Sequence, residues 1–175
     1  MSDWVARAVE LGADAALVMH PDQVLIADWV RLKCQYGCSA YGSRLTCPPY
    51  CPSPEATRRV LQEYRQALLL RVDGVGGEEE EDNRQCRRLG EAVAALEREL
   101  FLAGRHRAWG MGVGPCPFCP QCNLPGPCRF PRLARPSMEG CGVDVYTTVR
   151  RAGWEIEVVR SPADPFRRFG LVLME

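Results

Sequence analysis

Histidine is scarce in this chain of 175 residues, with only His20 and His106, and Lys33 is the one lysine. Neither histidine lies near a serine and an acid in the pattern of a hydrolytic triad, and no paired carboxylates stand out. Cationic and acidic side chains balance at 22 each, so there is no global field to attract nucleic acid or an anionic membrane. No apolar run approaches the ~18–20 residues of a membrane helix. Met1-Ser2-Asp3-Trp4 has no basic region ahead of an apolar stretch, so a cytoplasmic protein without a secretory signal is expected. Gly74-Val75-Gly76-Gly77 and Gly110-Met111-Gly112-Val113-Gly114 are glycine-rich but match no phosphate-binding fingerprint.

Cysteine, by contrast, is abundant. Eight of the ten cysteines fall into two sets, Cys34, Cys38, Cys47 and Cys51, then Cys116, Cys119, Cys122 and Cys128. In a reducing cytosol, cysteines grouped this closely serve as metal ligands or redox groups rather than as structural disulfides. Four thiols is the ligand number of a tetrahedral zinc ion or a cubane iron–sulfur cluster. The remaining composition, 46% hydrophobic and 25% charged, is that of a globular chain, and the length suits a single metal-binding domain over residues 1–175.

Local patterns predict the elements. Ser2 caps a helix through Leu11, and strands follow over Ala15–Met19 and Val24–Leu32. Ser53-Pro54-Glu55 opens a helix to about Gln66, and Leu68–Val72 reads as a buried strand. Gly74–Asp82, ending in the five acids Glu78 to Asp82, reads as a solvated loop. Leu89, Val93, Leu96, Leu100 and Ala103 recur at helical spacing, with Cys86 on the same face and Gly104 closing the last turn. Arg105–Met111 returns as a strand, Ser137 caps a helix to Ala152, Trp154–Val158 alternates as a half-buried strand, and Leu171–Met174 adds an edge strand. The resulting class is α+β: a mixed sheet with helices packed against it and two cysteine-rich loops at strand ends.

The second set carries the stronger signal. In Cys116-Pro117-Phe118-Cys119-Pro120-Gln121-Cys122, each proline turns the cysteine before it away from helical geometry, which leaves an extended, turning loop. The C-x2-C-x2-C run with Cys128 further on is of the ferredoxin type, with a last gap of five residues where three is usual. Zinc generally takes paired C-x2-C units set further apart. The first set, two C-x3-C pairs, suits either a cubane or zinc. Tyr36, Tyr41 and Tyr50 interleave with its thiols, either as packing aromatics or as a shield against water.

Lys33-Cys34-Gln35-Tyr36-Gly37-Cys38-Ser39-Ala40-Tyr41-Gly42, Leu45-Thr46-Cys47-Pro48-Pro49-Tyr50, Gly114-Pro115-Cys116-Pro117-Phe118-Cys119, Pro127-Cys128-Arg129-Phe130-Pro131 and Arg135-Pro136-Ser137-Met138-Glu139 together resemble a bacterial and archaeal family of metal-binding proteins of unknown function. The likeness covers nearly the whole chain. It implies a metal site, iron–sulfur in anaerobes, and no particular reaction. Cys51 departs from it, so the first site is completed by Cys51, by Cys141, or by neither, in which case one iron stays open to substrate.

Cys86 and Cys141 otherwise read as small buried residues. Arg129, Arg132 and Arg135, three apart between prolines, can line one face of a polyproline II segment beside the second site, where they would offset cluster charge or receive an acidic partner. The leading expectation is one or two 4Fe-4S clusters in electron transfer or redox sensing for a redox protein partner. The alternatives are an enzyme with an open-iron cluster at the first set, and a zinc-stabilised interaction module.

Overall fold

The computed structural model describes residues 3–76 and 79–175. Its elements in order are α1 (Trp4–Glu10), β1 (Ala15–Met19), α2 (Asp28–Gly37), α3 (Pro54–Leu61), β2 (Ala67–Gly74), α4 (Glu79–Leu102), β3 (Trp109–Met111), α5 (Val145–Arg151) and β4 (Phe166–Leu173), with a 3-10 turn at Pro21–Gln23. The strands form one sheet in the order β1-β2-β4-β3. The α+β class holds. Its three ladders are all antiparallel, where a mixed sheet was expected.

Both faces of this sheet are covered, which explains why β2 and β4 contain unbroken apolar runs. Successive residues of a strand point to opposite sides. Leu68, Leu70 and Val72 accordingly pack with Leu89, Val93, Leu96 and Leu100 of α4, while Ala67 and Leu69 join Met111, Met138, Cys141, Val143 and Val149 on the other face. Glycine lets α4 approach closely: a Cβ at Gly110 would lie 2.5 Å from Val93 Cγ1, and one at Gly170 would lie 2.9 Å from Val93 Cγ2. Cys86 lies in the α4 core as expected.

Several elements differ from the sequence reading. Asp3 caps α1 by accepting from Val5 and Ala6 amides; Ser2 lies outside the described residues. Where a strand was expected over Val24–Leu32, the chain forms α2, because Val30 is buried while Trp29 and Leu32 are about half exposed, a helical rather than an alternating pattern. The helix from Ser53 is shorter than expected but capped as predicted, with Ser53 Oγ accepting from Ala56 N at 3.1 Å. The acidic stretch from Glu79 to Asp82 opens α4 instead of forming a loop; Glu78 lies outside the described residues. Ser137 starts a tight turn rather than a helix, accepting Gly140 N at 3.0 Å. The helix begins only at Val145, capped by Asp144. Between them, Gly142 adopts φ +86°, a conformation that L side chains rarely take.

Trp154–Val158 joins no strand. Its alternation is met by Ile156, which is buried, and by Trp154, whose ring lies 6.1 Å from Phe169. β4, expected at the edge, is interior and pairs with β2 and β3. Among the described residues, no helix is long and apolar enough to cross a membrane.

The strip 136–144 runs between β3 and the start of α2. Gly112 N donates to Pro136 O and Met138 N to Gly112 O, at 2.8 and 3.0 Å. On the other side, Ala27 N donates to Gly142 O and Asp144 N to Leu25 O, at 2.9 and 2.8 Å. This strip carries Glu139 and Cys141 up to the first cysteine set.

Candidate metal centres

Three cysteines of the first set share one space. Cys34 lies in the last turns of α2 and Cys38 directly follows it. The turns after Cys38 bring Cys47 back, with Gly42 N donating to Pro48 O at 2.8 Å. Together with Ser137, Glu139 and Gly114, these three cysteines line a cavity of about 220 Å³. Cys51 does not line it. A turn closed by Cys51 N to Cys47 O, at 3.2 Å, sets Cys51 beside Gly140 on the cavity's edge, where it adds to the upward shift of Cys34 and Cys47. There its thiol donates to Gly140 O at 3.1 Å and receives the Arg31 guanidinium at 3.7 Å.

Its neighbours Cys141 and Arg31 hold the Cys51 thiol below the ordinary range, while the proximity of Cys51 and burial drive Cys141 far above it. Arg31 fixes the arrangement through Gly140 O at 2.8 Å and Pro52 O at 3.0 Å. Within the cavity, burial pushes the Cys47 thiol up to about 11. It raises Cys34 as well, with Cys38 and Glu139 adding to the effect. Burial thus disfavours a free thiolate at Cys34 and Cys47, and a bound metal would take the place of the proton.

Glu139 had no functional reading in the sequence. Burial raises its carboxyl, and its Oε2 is buried without a hydrogen-bond partner among the described residues. Such an atom ordinarily costs about 1–3 kcal/mol, so its retention calls for an explanation.

The second set is brought together whole. Cys116, Cys119, Cys122 and Cys128 all line one narrow cavity of about 10 Å³, closed by Arg44, Leu45, Thr46 and Phe130. Leu45 N donates to Cys122 Sγ and Phe130 N to Cys128 Sγ, each at 3.3 Å. Backbone donors of this kind stabilise thiolate and tune a metal bound to it. Arg44, between Cys38 and Cys47, holds the loop from outside by donating to Cys116 O, Cys119 O and Pro120 O at 3.0, 3.1 and 3.3 Å.

The two sites therefore stand back to back. Thr46 lines the second cavity and Cys47 the first; Pro115 lines the first and Cys116 the second. Neighbouring residues along the chain, ~3.8 Å apart at Cα, form the partition in two places.

The predicted arginine row is not formed. Leu133 N and Ala134 N both donate to Phe130 O, which makes a turn and breaks the three-residue repeat. Arg135 forms a two-pronged ion pair with Glu97, at 2.7 and 2.6 Å. Arg129 braces the second loop through Gln121 O and Asn123 Oδ1, and Arg132 is exposed. His20 caps the Pro21–Gln23 turn and plays no part at either site.

The donor sets fit a thiophilic metal, with three thiols and an unpaired carboxylate oxygen at one site and four thiols with amide donors at the other. Among the described residues, no three cysteine, histidine or carboxylate side chains meet at the spacing of a single ion. Zn–S bonds of ~2.3 Å set sulfurs about 3.8 Å apart, whereas a cube with one sulfur on each of four irons holds them wider.

No curated protein and no solved structure matches the chain in comparisons with known proteins. A family described as predicted metal-binding proteins (DUF2284) matches residues 18–174, and the chain belongs to that family.

Proposed function

We propose that this is an iron–sulfur protein with two unlike sites, a closed four-cysteine site that exchanges electrons with a redox protein partner and a three-cysteine site that meets a small molecule. The observation that carries the reading is the Cys51 thiol, engaged with Gly140 O and Arg31, while Cys34, Cys38 and Cys47 line the cavity. An iron–sulfur cluster supplies one-electron chemistry when bound, and a set of three thiolates leaves one iron without a cysteine. The roughly 220 Å³ at the first site and the shared partition between the sites both support the reading.

The residues have distinct tasks. Cys34, Cys38 and Cys47 would hold the first group, while Gly140 O and Arg31 occupy the Cys51 thiol. Cys116, Cys119, Cys122 and Cys128 hold the second, with the amides of Leu45 and Phe130 tuning its sulfurs. Arg44 fixes the two loops to each other.

A second reading, zinc at the four-cysteine site, is favoured by how tightly that loop closes, with only about 10 Å³ inside. Protein purified without oxygen should contain about eight irons and eight sulfides per chain under the first reading. Under the second it should contain about four irons with one zinc. Protein free of iron would overturn both.

A further inference from the structure

A second cavity, of about 230 Å³, lies behind the three-cysteine site between α2, α5 and β4. Cys34 and Glu139 line both spaces and so form the wall between them. The rest of the lining combines an apolar body with cations. Trp29, Ile156 and Phe169 contribute apolar surface, and Lys33, Arg167 and Arg168 contribute positive charge.

The cations are not equivalent. Arg168 is paired with Asp82, and Arg167 donates to Glu155 O at 2.7 Å and lies 3.9 Å from Asp73. Asp144, the acid nearest α5, is occupied by Thr147 N and Thr147 Oγ1 at 3.0 and 2.7 Å. Lys33 forms no hydrogen bond or ion pair among the described residues, although its neighbour in sequence, Cys34, faces the metal site. An ammonium free of intramolecular carboxylates, at the mouth of a partly apolar cavity, is suited to an anionic head on an apolar body.

We infer that this cavity binds a small organic carboxylate, with its carboxylate on Lys33, its apolar body against Trp29 and Ile156, and its far end at the Cys34 and Glu139 wall. The inference rests on the three-cysteine reading for its purpose, but the binding itself does not require it. Glu139 forms part of the wall that this cavity shares with the metal site.

The test uses anaerobically purified full-length protein titrated with benzoate and butyrate, with benzamide and butyramide as neutral counterparts. Tryptophan fluorescence and calorimetry report binding, and iron and sulfide are counted in the same samples. Saturable carboxylate binding is expected, with the amides at least tenfold weaker. Lys33→Gln should weaken carboxylate binding about tenfold and Lys33→Arg should restore most of it, with iron content unchanged in both. Trp29→Phe should remove most of the fluorescence response. The inference is overturned by the absence of saturable binding up to ~10 mM, or by binding that Lys33→Gln leaves intact. Iron-free protein that still binds carboxylate through Lys33 would refute the cluster reading alone and leave this inference standing.

Discussion

The two cysteine regions differ in what holds them in place. The first is supported by regular structure: Cys34 stands on α2, Glu139 and Cys141 on the strip tied to β3 and to Leu25–Ala27, and Arg31 joins the parts. The second, from Cys116 to Phe130, has one buried side chain, Phe118, and is otherwise held by Arg44, Arg87 and Arg129 binding its own carbonyls. On the proposed reading, the first can leave one coordination position open because packing keeps its walls in place, and the second calls for all four cysteines because little else gives it shape.

The largest effect should come from exchanging a cysteine in each region. Structural metal sites contribute energies of order 10 kcal/mol. Cys119→Ser should release the metal of the second site and open residues 116–130 to limited proteolysis, leaving the core helices protected. Retention of full metal content by Cys119→Ser would erase the contrast between the regions.

Arg135→Ala comes next. It leaves Glu97 half-paired at a site where the two side chains are only 19% and 15% exposed. Breaking such a pair costs about 3–5 kcal/mol, read as a fall in the denaturation midpoint. Glu97 also accepts Gly110 N at 2.7 Å, so the double variant with Glu97→Gln should recover only part of the loss.

Arg44→Ala probes the joint between the regions. Two of its three hydrogen bonds to carbonyls are half-buried and the third is exposed, and their loss should cost about 2–4 kcal/mol. Both sites should become labile together, seen as faster iron loss to a chelator from each. If only the second site loosened, the shared partition would not couple them.

The smallest effect lies far from both sites and sets a baseline. Arg7 holds the Glu99 carboxyl below the usual carboxylate range. A depressed carboxylate adds stability above its unfolded value, and that stability is lost as pH falls through the folded value. Glu99→Gln should flatten the acid side of the stability curve, from about pH 4.3 downward, without changing metal content.

Much of this was legible in the sequence where local chemistry decides the outcome. The spacing of Leu89, Val93, Leu96 and Leu100 gave α4, Ser53-Pro54 gave the start of α3, and β1 has the bounds its apolar run predicts. The grouping of the second cysteine set survives folding because its prolines keep the chain turning. Long-range partners were not legible. Nothing local shows that Arg135 meets Glu97, or that Cys51 finds Cys141 across ninety residues of chain. Nothing local marks Glu139 either, since its oxygen matters only because both flanking strips are tied down around it. α2 was misread for a similar reason: β-branched and apolar residues at Val24–Leu32 satisfy either period until burial selects one.

The measurement closest to the central claim is iron and acid-labile sulfide per chain in anaerobically prepared Cys51→Ser beside the parent protein. A first site built on Cys34, Cys38 and Cys47 predicts equal contents in the two. A loss of about four irons from Cys51→Ser would show that Cys51 is a ligand after all and would contradict the account.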